Sequence, residues 1–120
     1  MDDRPVIAVP MGDPAGVGPE IVIKAMMNEE VTSKARCLAV GDERILRRAL
    51  GFPNMPQEKI RTVTDPEEGD YRKGILNVID LHNLAPEEYE MGKVSGKCGQ
   101  AAYEYIERAV RLAMDKKQGQ

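Results

Sequence analysis

The stretch that decides the fold lies near the start of the chain and reads VIAVPMGDPAGVGPE over residues 6–20. Its apolar run, Val6–Val9, is typical of a short buried β-strand, and the glycines and prolines that follow predict a turn. Pro19 suits the first turn of a helix, where an N–H group would have no partner, and Glu20 places an acid at the positive helix end. We therefore predict a strand, a tight turn over Gly12–Glu20 and a helix over Pro19–Asn28.

The glycines of this turn follow the pattern G-x-x-x-G-x-G, which is neither the dinucleotide fingerprint G-x-G-x-x-G nor a P-loop. We expect Gly16 and Gly18 to permit a positive φ or a close approach of the backbone. Because Asp13 and Glu20 already supply negative charge, contacts to a hydroxyl, an amide or a cation suit this turn better than a phosphate. A turn that merely connects the strand to the helix remains an alternative.

Strand and helix patterns alternate along the rest of the chain. Further strands are predicted at Arg36–Val40, Ile60–Val63 and Ile75–Ile79, and a helix is predicted at Glu43–Leu50, with Asp42 as its N-cap and Gly51 and Pro53 at its end. A long helix closes the chain. Such alternation predicts an α/β fold with a mainly parallel sheet, with about four strands and three helices in a single unit spanning residues 1–120.

The last helix carries an apolar stripe with helical spacing. Its members are Ala102, Tyr105, Ile106, Ala109, Leu112 and Ala113. In a βαβ unit a helix normally returns the chain to a further strand, and no strand pattern follows this one. We therefore expect either that the helix packs back unaided or that the natural polypeptide continues. Without further chain, we expect an exposed apolar strip that favours self-association or a partner.

Composition and charge exclude several classes of partner. The net charge is −3 and the pI about 5.2, whereas nucleic-acid binders usually carry a basic excess. No window approaches the run of about 18 apolar residues that a membrane helix needs. Two acids precede the first apolar run, unlike a secretory signal, and Cys37 and Cys98 match no metal or redox spacing. These features predict a cytoplasmic protein with reduced thiols, and the single histidine, His82, is expected in a loop or on the surface.

Several segments resemble one enzyme family. The string MGDPAGVGPEI at residues 11–21, together with Ala39–Asp42, Gly92–Ser95 and Gly99–Ile106, is similar to the 4-hydroxythreonine-4-phosphate dehydrogenase family of vitamin B6 biosynthesis. That family includes relatives acting on threonate or erythronate 4-phosphate. The resemblance implies the three-layer α/β/α fold of isocitrate and isopropylmalate dehydrogenases. It also implies a homodimer that oxidises and decarboxylates a small phosphorylated hydroxy acid with NAD or NADP and a divalent metal.

The resemblance assigns four cofactor-binding residues, Asp13, Gly16, Val17 and Gly18, and no catalytic or metal-binding residue. Members of the family bind their metal through three histidines downstream of the long helix, and His82 matches none of them. We therefore expect this chain to be the N-terminal part of a longer dehydrogenase and to be inactive alone. Two alternatives stay open: a self-contained flavodoxin-like binding module, with ligands at the carboxyl ends of the strands, and an assembly fragment that needs a companion chain.

Overall fold

One parallel sheet organises the computed structural model, which describes residues 3–52, 59–93 and 95–118, with side chains as far as residue 114. The strands are β1 (Val6–Pro10), β2 (Arg36–Gly41), β3 (Lys59–Val63) and β4 (Ile75–Asp80). They pair in the order β1-β2-β4-β3, and every pair is parallel. All four predicted strands are confirmed to within one residue at each end. Two predicted features lie outside the described residues: Pro53, expected just after the helix at Glu43–Leu50, and Val94, part of the segment Gly92–Ser95 that resembles the family.

The described helices are α1 (Gly18–Met26), α2 (Glu29–Thr32), α3 (Glu43–Leu50) and α4 (Gly96–Gln118). The prediction of about three helices was therefore one short, since α2 is a single turn with no apolar periodicity to reveal it. Asn28, the expected end of α1, instead adopts an extended conformation and caps α2, accepting hydrogen bonds from the N–H groups of Glu30 and Val31. The bounds of α3 match the prediction, and the Asp42 side chain caps it.

Helices cover the sheet in layers. The connections from β1 to β2 and from β2 to β3 run in the same direction across the sheet, and their helices α1 and α3 pack together, as the usual right-handed crossover predicts. After β4 the chain turns back, and α4 packs on β1 and β2. The core cluster between these elements includes Leu38 and Leu76 of the sheet, Ile23 of α1, and Tyr105 of α4, all at 0% exposure. The predicted parallel α/β fold is thereby confirmed.

Two adjacent faces of α4 are apolar, and only one of them is buried. Cys98, Ala101 and Tyr105 point into the core, where Cys98 packs as a small apolar side chain. The predicted stripe is divided between the two faces: Tyr105 is buried, whereas Ile106 is 50% exposed because it lies on the neighbouring face. That face forms an exposed strip of four large apolar residues, Tyr103, Ile106, Val110 and Met114. The expected apolar strip on α4 is therefore present, although its position on the helix differs.

Candidate functional site

The turn between β1 and α1 lies at the carboxyl edge of the sheet. The N–H of Met11 donates to Val40 O at 2.8 Å, which continues the pairing of β1 with β2 beyond the last strand residue. Asp13 then closes the turn twice: its Oδ1 accepts from the N–H of Ala15 at 2.8 Å, and its carbonyl accepts from the N–H of Gly16 at 3.1 Å. With Pro19 in the first turn of α1, the predicted tight turn over Gly12–Glu20 is confirmed.

The three glycines of the turn have different roles. A Cβ on Gly18 would lie 2.6 Å from the carbonyl oxygen of Met11, so the predicted close backbone approach is confirmed at Gly18. The same prediction was wrong for Gly16, whose nearest neighbour for a Cβ would be Asp13 O at an ordinary 3.7 Å. The positive φ instead occurs at Gly12, with φ of 82°. The turn therefore depends on Gly12 and Gly18, while a Cβ at Gly16 would make only ordinary van der Waals contacts.

The four predicted cofactor-binding residues lie together on this turn. The Val17 side chain is 63% exposed, and Val17 is also the N-cap of α1, where it can offer no side-chain oxygen. By helix geometry the N–H groups of Gly18 and Glu20 have no partner within α1, and Pro19 has no N–H at all. The turn therefore presents an apolar side chain beside uncapped backbone donors. Asp13 differs from the other three, because its carboxylate stabilises the turn itself.

A second group of side chains lies at the same edge, and sequence analysis missed it. The side-chain oxygens of Asp42 and Asp80 and a ring nitrogen of His82 lie within 4.8 Å of one another. Asp42 follows β2 directly and Asp80 ends β4, and the two strands are paired with Gly41 opposite Asp80. The available signal was an acid within two residues of the end of each of two predicted strands, but the pairing of those strands could not be read from the sequence.

The arrangement does not fit a divalent metal ion, because its oxygens are already in use. Asp42 is fully buried and accepts four hydrogen bonds, three from Arg44 at 2.9–3.1 Å and one from the N–H of Leu84 at 3.1 Å. Asp80 Oδ1 accepts from the N–H groups of Glu43 at 3.1 Å and His82 at 2.9 Å. Only Asp80 Oδ2 and the His82 ring remain, 3.7 Å apart, whereas zinc sites use three or four protein ligands and a magnesium site prefers oxygen ligands to an imidazole.

These contacts make the cluster a junction between elements. Burial opposes ionisation of Asp42, but hydrogen bonds from Arg44 and Leu84 outweigh it and hold the pKa of Asp42 below its usual value. The carboxylate thereby ties the start of α3 to the segment after β4. His82 is in a loop with 65% side-chain exposure, as predicted. Its φ is 49°, and it is the one described residue other than glycine whose φ is positive.

The long helix is attached to the same segment by a partly buried chain of hydrogen bonds. The hydroxyl of Tyr105 donates to Asn83 Oδ1 at 2.8 Å, and Asn83 Nδ2 donates to Glu104 Oε1 at 2.6 Å. Burial, followed by the nearby carboxylates of Asp42 and Asp80, raises the pKa of Tyr105 well above its usual range. The phenol therefore stays protonated and serves as a structural donor. These contacts attach α4 to the segment that follows β4 at the carboxyl edge of the sheet.

A parallel sheet with a glycine-containing turn at its carboxyl edge, leading into a helix, defines an α/β protein of the class that binds small ligands beyond the carboxyl ends of its strands. Comparison with known families gives a specific match. The family described as pyridoxal phosphate biosynthetic protein PdxA matches residues 33–119. The chain therefore belongs to the PdxA family, and the resemblance to 4-hydroxythreonine-4-phosphate dehydrogenases is confirmed.

Individual relatives agree with this assignment. A putative D-threonate 4-phosphate dehydrogenase of Fusobacterium nucleatum is 48% identical over 114 residues, which cover 95% of this chain and 34% of the relative. The crystal structure of a 4-hydroxythreonine-4-phosphate dehydrogenase from Burkholderia phymatum superposes with a TM-score of 0.87 at 40% identity, covering 97% of this chain and 34% of that one. The corresponding enzyme from Klebsiella pneumoniae gives a TM-score of 0.86 at 34% identity, covering 95% of this chain and 34% of that one.

The chain spans about a third of the length of the curated relatives it matches. Among the described residues, no helix combines the length and apolar character needed to cross a membrane.

Proposed function

We propose that this chain is the N-terminal, cofactor-side part of a dehydrogenase that oxidises a four-carbon phosphorylated hydroxy acid. D-Threonate 4-phosphate and 4-hydroxythreonine 4-phosphate are the candidate substrates, because relatives and structural neighbours carry those names. The observation that carries the proposal is the turn at residues 11–18, which presents exposed Val17 and uncapped backbone donors at the carboxyl edge of a parallel sheet. This is the edge at which doubly wound α/β proteins bind nucleotides.

The turn offers a nicotinamide cofactor an apolar surface and backbone N–H groups rather than a charged side chain. In our proposal, Val17 makes apolar contact with the nicotinamide ring, and Gly16 leaves room for it. The N–H groups of Gly18 and Glu20 suit the carbonyl of a carboxamide. Asp13 holds the turn in shape through Ala15 and so acts by positioning. When bound, NAD or NADP would accept a hydride from the substrate alcohol.

A divalent metal belongs to the proposed reaction, yet the described residues of this chain do not fit one. The oxygens of Asp42 are saturated by Arg44 and Leu84, and the guanidinium of Arg44 already neutralises that carboxylate. We therefore place the metal centre, the substrate phosphate site and the decarboxylation step outside this chain. They would be supplied by further polypeptide or by a second subunit of a homodimer, in a cytoplasmic enzyme.

The surface of α4 favours an assembly fragment over a self-contained flavodoxin-like module. A self-contained flavodoxin-like module would cover its helices, whereas α4 leaves Tyr103, Ile106, Val110 and Met114 between 50% and 59% exposed. This strip fits an assembly fragment that needs a companion chain. We keep that reading as the second candidate function, and sedimentation at several concentrations tests it: a stable monomer that binds no hydrophobic dye would support the self-contained module.

The proposal is tested first by activity. The chain alone, assayed with NAD, a divalent metal and threonate, erythronate or 4-hydroxythreonine 4-phosphate, should give no turnover above a blank. Any turnover above the blank would show that the catalytic centre is complete within this chain and would contradict our placement of the metal site.

The second test addresses the turn directly. Titration of NAD followed by amide NMR should shift the signals of Gly16, Val17 and Gly18, and Val17→Asp should abolish those shifts by placing a carboxylate at the apolar contact. Val31 is a matched control, because it is 39% exposed on α2, and Val31→Asp should leave the titration unchanged. Shifts elsewhere with none at the turn would refute the assignment of these residues to the cofactor.

A further inference from the structure

A short segment before α4 contacts the turn at residues 11–18. This bridging segment, residues 89–92, ends at Gly92, whose N–H donates to Ala15 O at 2.7 Å. Gly92 has a φ of 80°, a conformation that residues with a side chain rarely adopt, so the direction of this N–H depends on glycine. The function proposed above gives the contact no role, although it reaches the middle of the turn.

The contact restrains one peptide of the turn from outside. In the peptide that joins Ala15 to Gly16, the carbonyl accepts from Gly92 and the N–H donates to Asp13 O at 3.1 Å. The bond to Asp13 lies within the turn, whereas the bond to Gly92 comes from a separate segment. Because glycine has more backbone freedom than other residues, Gly16 adds no restraint of its own on Val17, which follows it. The orientation of Val17 therefore depends on the bridging segment.

Arg48, in the last turn of α3, holds the other end of the bridging segment. Its Nη2 donates to the hydroxyl of Tyr89 and to Sδ of Met91, the latter at 2.9 Å, and its guanidinium lies 5.0 Å from the centre of the Tyr89 ring. Arg48 Nε is buried and has no hydrogen-bond partner within the part of the chain that the structure describes. A buried donor without a partner is destabilising, and the contacts with the bridging segment offset that cost.

The turn, α3 and the bridging segment pack closely around one small cavity. Gly16, Pro19, Arg48, Ala49 and Met91 are among the residues that line it. Its volume is about 10 Å³, which is at the lower limit of the space that one water molecule needs. A displacement of the bridging segment is therefore transmitted to the turn by direct packing, because there is no layer of solvent between them.

We infer that Arg48 is a positioning residue for the turn at residues 11–18, an inference that rests on the function proposed above. Arg48 fixes the bridging segment, so that Gly92 restrains the turn and keeps Val17 oriented toward the nicotinamide ring. Arg48 acts through this segment and not by contact with the cofactor. Its loss lowers the fraction of free molecules in which the turn has the binding shape, and the apparent dissociation constant rises by the inverse of that fraction.

The first measurement needs no cofactor and uses hydrogen exchange followed by amide NMR. Arg48→Met keeps an unbranched side chain and removes the guanidinium, so exchange at Gly92 should become about tenfold faster, which corresponds to about 1.4 kcal/mol for hydrogen bonds from a charged group. Arg47→Met is the matched control, because Arg47 is 57% exposed on the same helix and pairs with Glu43. It should leave exchange at Gly92 unchanged.

A second control separates a local restraint from overall stability. Tyr105→Phe removes a hydrogen bond of α4 and does not touch the bridging segment, so it lowers the free energy of unfolding while local opening at Gly92 stays as it was. Exchange at Gly92 should therefore be faster in Arg48→Met than in Tyr105→Phe.

The second measurement is the titration with NAD, followed at the Val17 amide. Arg48→Met should raise the midpoint about fivefold while the shift at saturation stays that of the parent chain, because the bound turn is the same. Arg47→Met and Tyr105→Phe should leave the midpoint unchanged. Arg48→Lys keeps the positive charge but lacks the planar guanidinium with its several donors, so its midpoint should also rise.

Three results would overturn the inference. An unchanged midpoint in Arg48→Met would show that the turn does not need this restraint. A parent midpoint in Arg48→Lys would show that Arg48 attracts the anionic cofactor by charge alone. Equal acceleration of exchange at Gly92 in Tyr105→Phe and Arg48→Met would show that this amide follows overall stability.

Tyr89→Phe keeps the test decisive where Arg48→Met does not fold. It removes the hydroxyl and keeps the ring, so exchange at Gly92 and the midpoint for NAD should both rise about threefold, and unchanged values would contradict the inference. A parent chain in which NAD shifts no amide of the turn would refute the proposed function and this inference with it. A normal titration of the parent chain with the same midpoint in the Arg48 variants would refute this inference alone.

Discussion

Replacing Gly18 by alanine adds one methyl group at the tightest point of the turn that leads into α1. The new Cβ would lie 2.6 Å from Met11 O and 3.4 Å from the backbone nitrogen of Asp13. Close C···O contacts in proteins are about 3.3 Å, so the overlap with Met11 O is about 0.7 Å. Both neighbours are backbone atoms, and the N–H of Met11 is bonded to Val40 in the sheet. The clash therefore cannot be relieved by turning a side chain.

The expected loss of stability follows from this overlap. Overpacking a rigid region costs typically 1–3 kcal/mol, and a backbone clash is at the upper end, so Gly18→Ala should lower the free energy of unfolding by about 2–3 kcal/mol. Gly18→Val adds two further methyl groups and should cost more. Gly16→Ala is the matched control in the same turn, because its Cβ would be 3.7 Å from Asp13 O. It should be neutral or stabilise by up to about 1 kcal/mol through the unfolded state.

Urea unfolding followed by circular dichroism measures both variants against the parent chain, with the slope of the transition checked for constancy. The reasoning would be refuted if Gly18→Ala changed the free energy of unfolding by less than about 0.5 kcal/mol, the usual range of a surface substitution. It would fail equally if Gly16→Ala were as destabilising as Gly18→Ala, because the two positions would then share a cause other than the contact with Met11 O.

Three further predictions concern single side chains. Asp42→Ala removes the cap of α3 and leaves the buried N–H of Leu84 unpaired. Urea unfolding should therefore show a free energy of unfolding lower by about 3 kcal/mol. A decrease below about 1 kcal/mol would contradict the role of Asp42 in joining α3 to the segment after β4. Hydrogen bonds from Arg72 lower the pKa of Asp70 to about 2. The contribution of ionised Asp70 to stability is therefore present above pH 3.8 and is lost as the pH falls through 2. Carbon NMR of the Asp70 carboxyl should give a titration midpoint near 2, and that midpoint should return toward 3.8 in Arg72→Gln. Tyr105→Phe should cost about 1–2 kcal/mol in thermal or urea unfolding, because Asn83 loses a buried donor, and an unchanged stability would show that this hydrogen bond is dispensable.

Local patterns predicted most of the fold. The strands and α3 follow from apolar runs bounded by turn and capping residues, and Asp42 was identified as an N-cap from its position alone. One-turn α2 has no periodicity, so only its cap at Asn28 could have indicated it. The stripe on α4 was harder, because apolar residues cover two adjacent faces and spacing does not say which face meets the sheet. The predicted stripe therefore combined Tyr105, which is buried, with Ile106, which is exposed.

The site was predictable only where neighbours in sequence are neighbours in space. The turn at residues 11–18 is one continuous segment, so its shape could be anticipated, although the need for glycine at Gly12 rather than Gly16 depends on φ values that a sequence does not display. Asp42 and Asp80 are separated by 37 intervening residues and meet only because β2 pairs with β4.

The strand order β1-β2-β4-β3 also governs how the chain can fold as it is synthesised. β1 and β2 can pair as soon as both have been made, but within the described residues β3 pairs only with β4, which is made later. An emerging chain therefore holds an unpaired strand, Lys59–Val63, until β4 inserts between it and β2. Unpaired strands of this kind promote aggregation with other chains, and charged residues on the strand usually oppose it. Lys59 and Arg61, both exposed on β3, place positive charge on that strand during the interval when it has nothing to pair with.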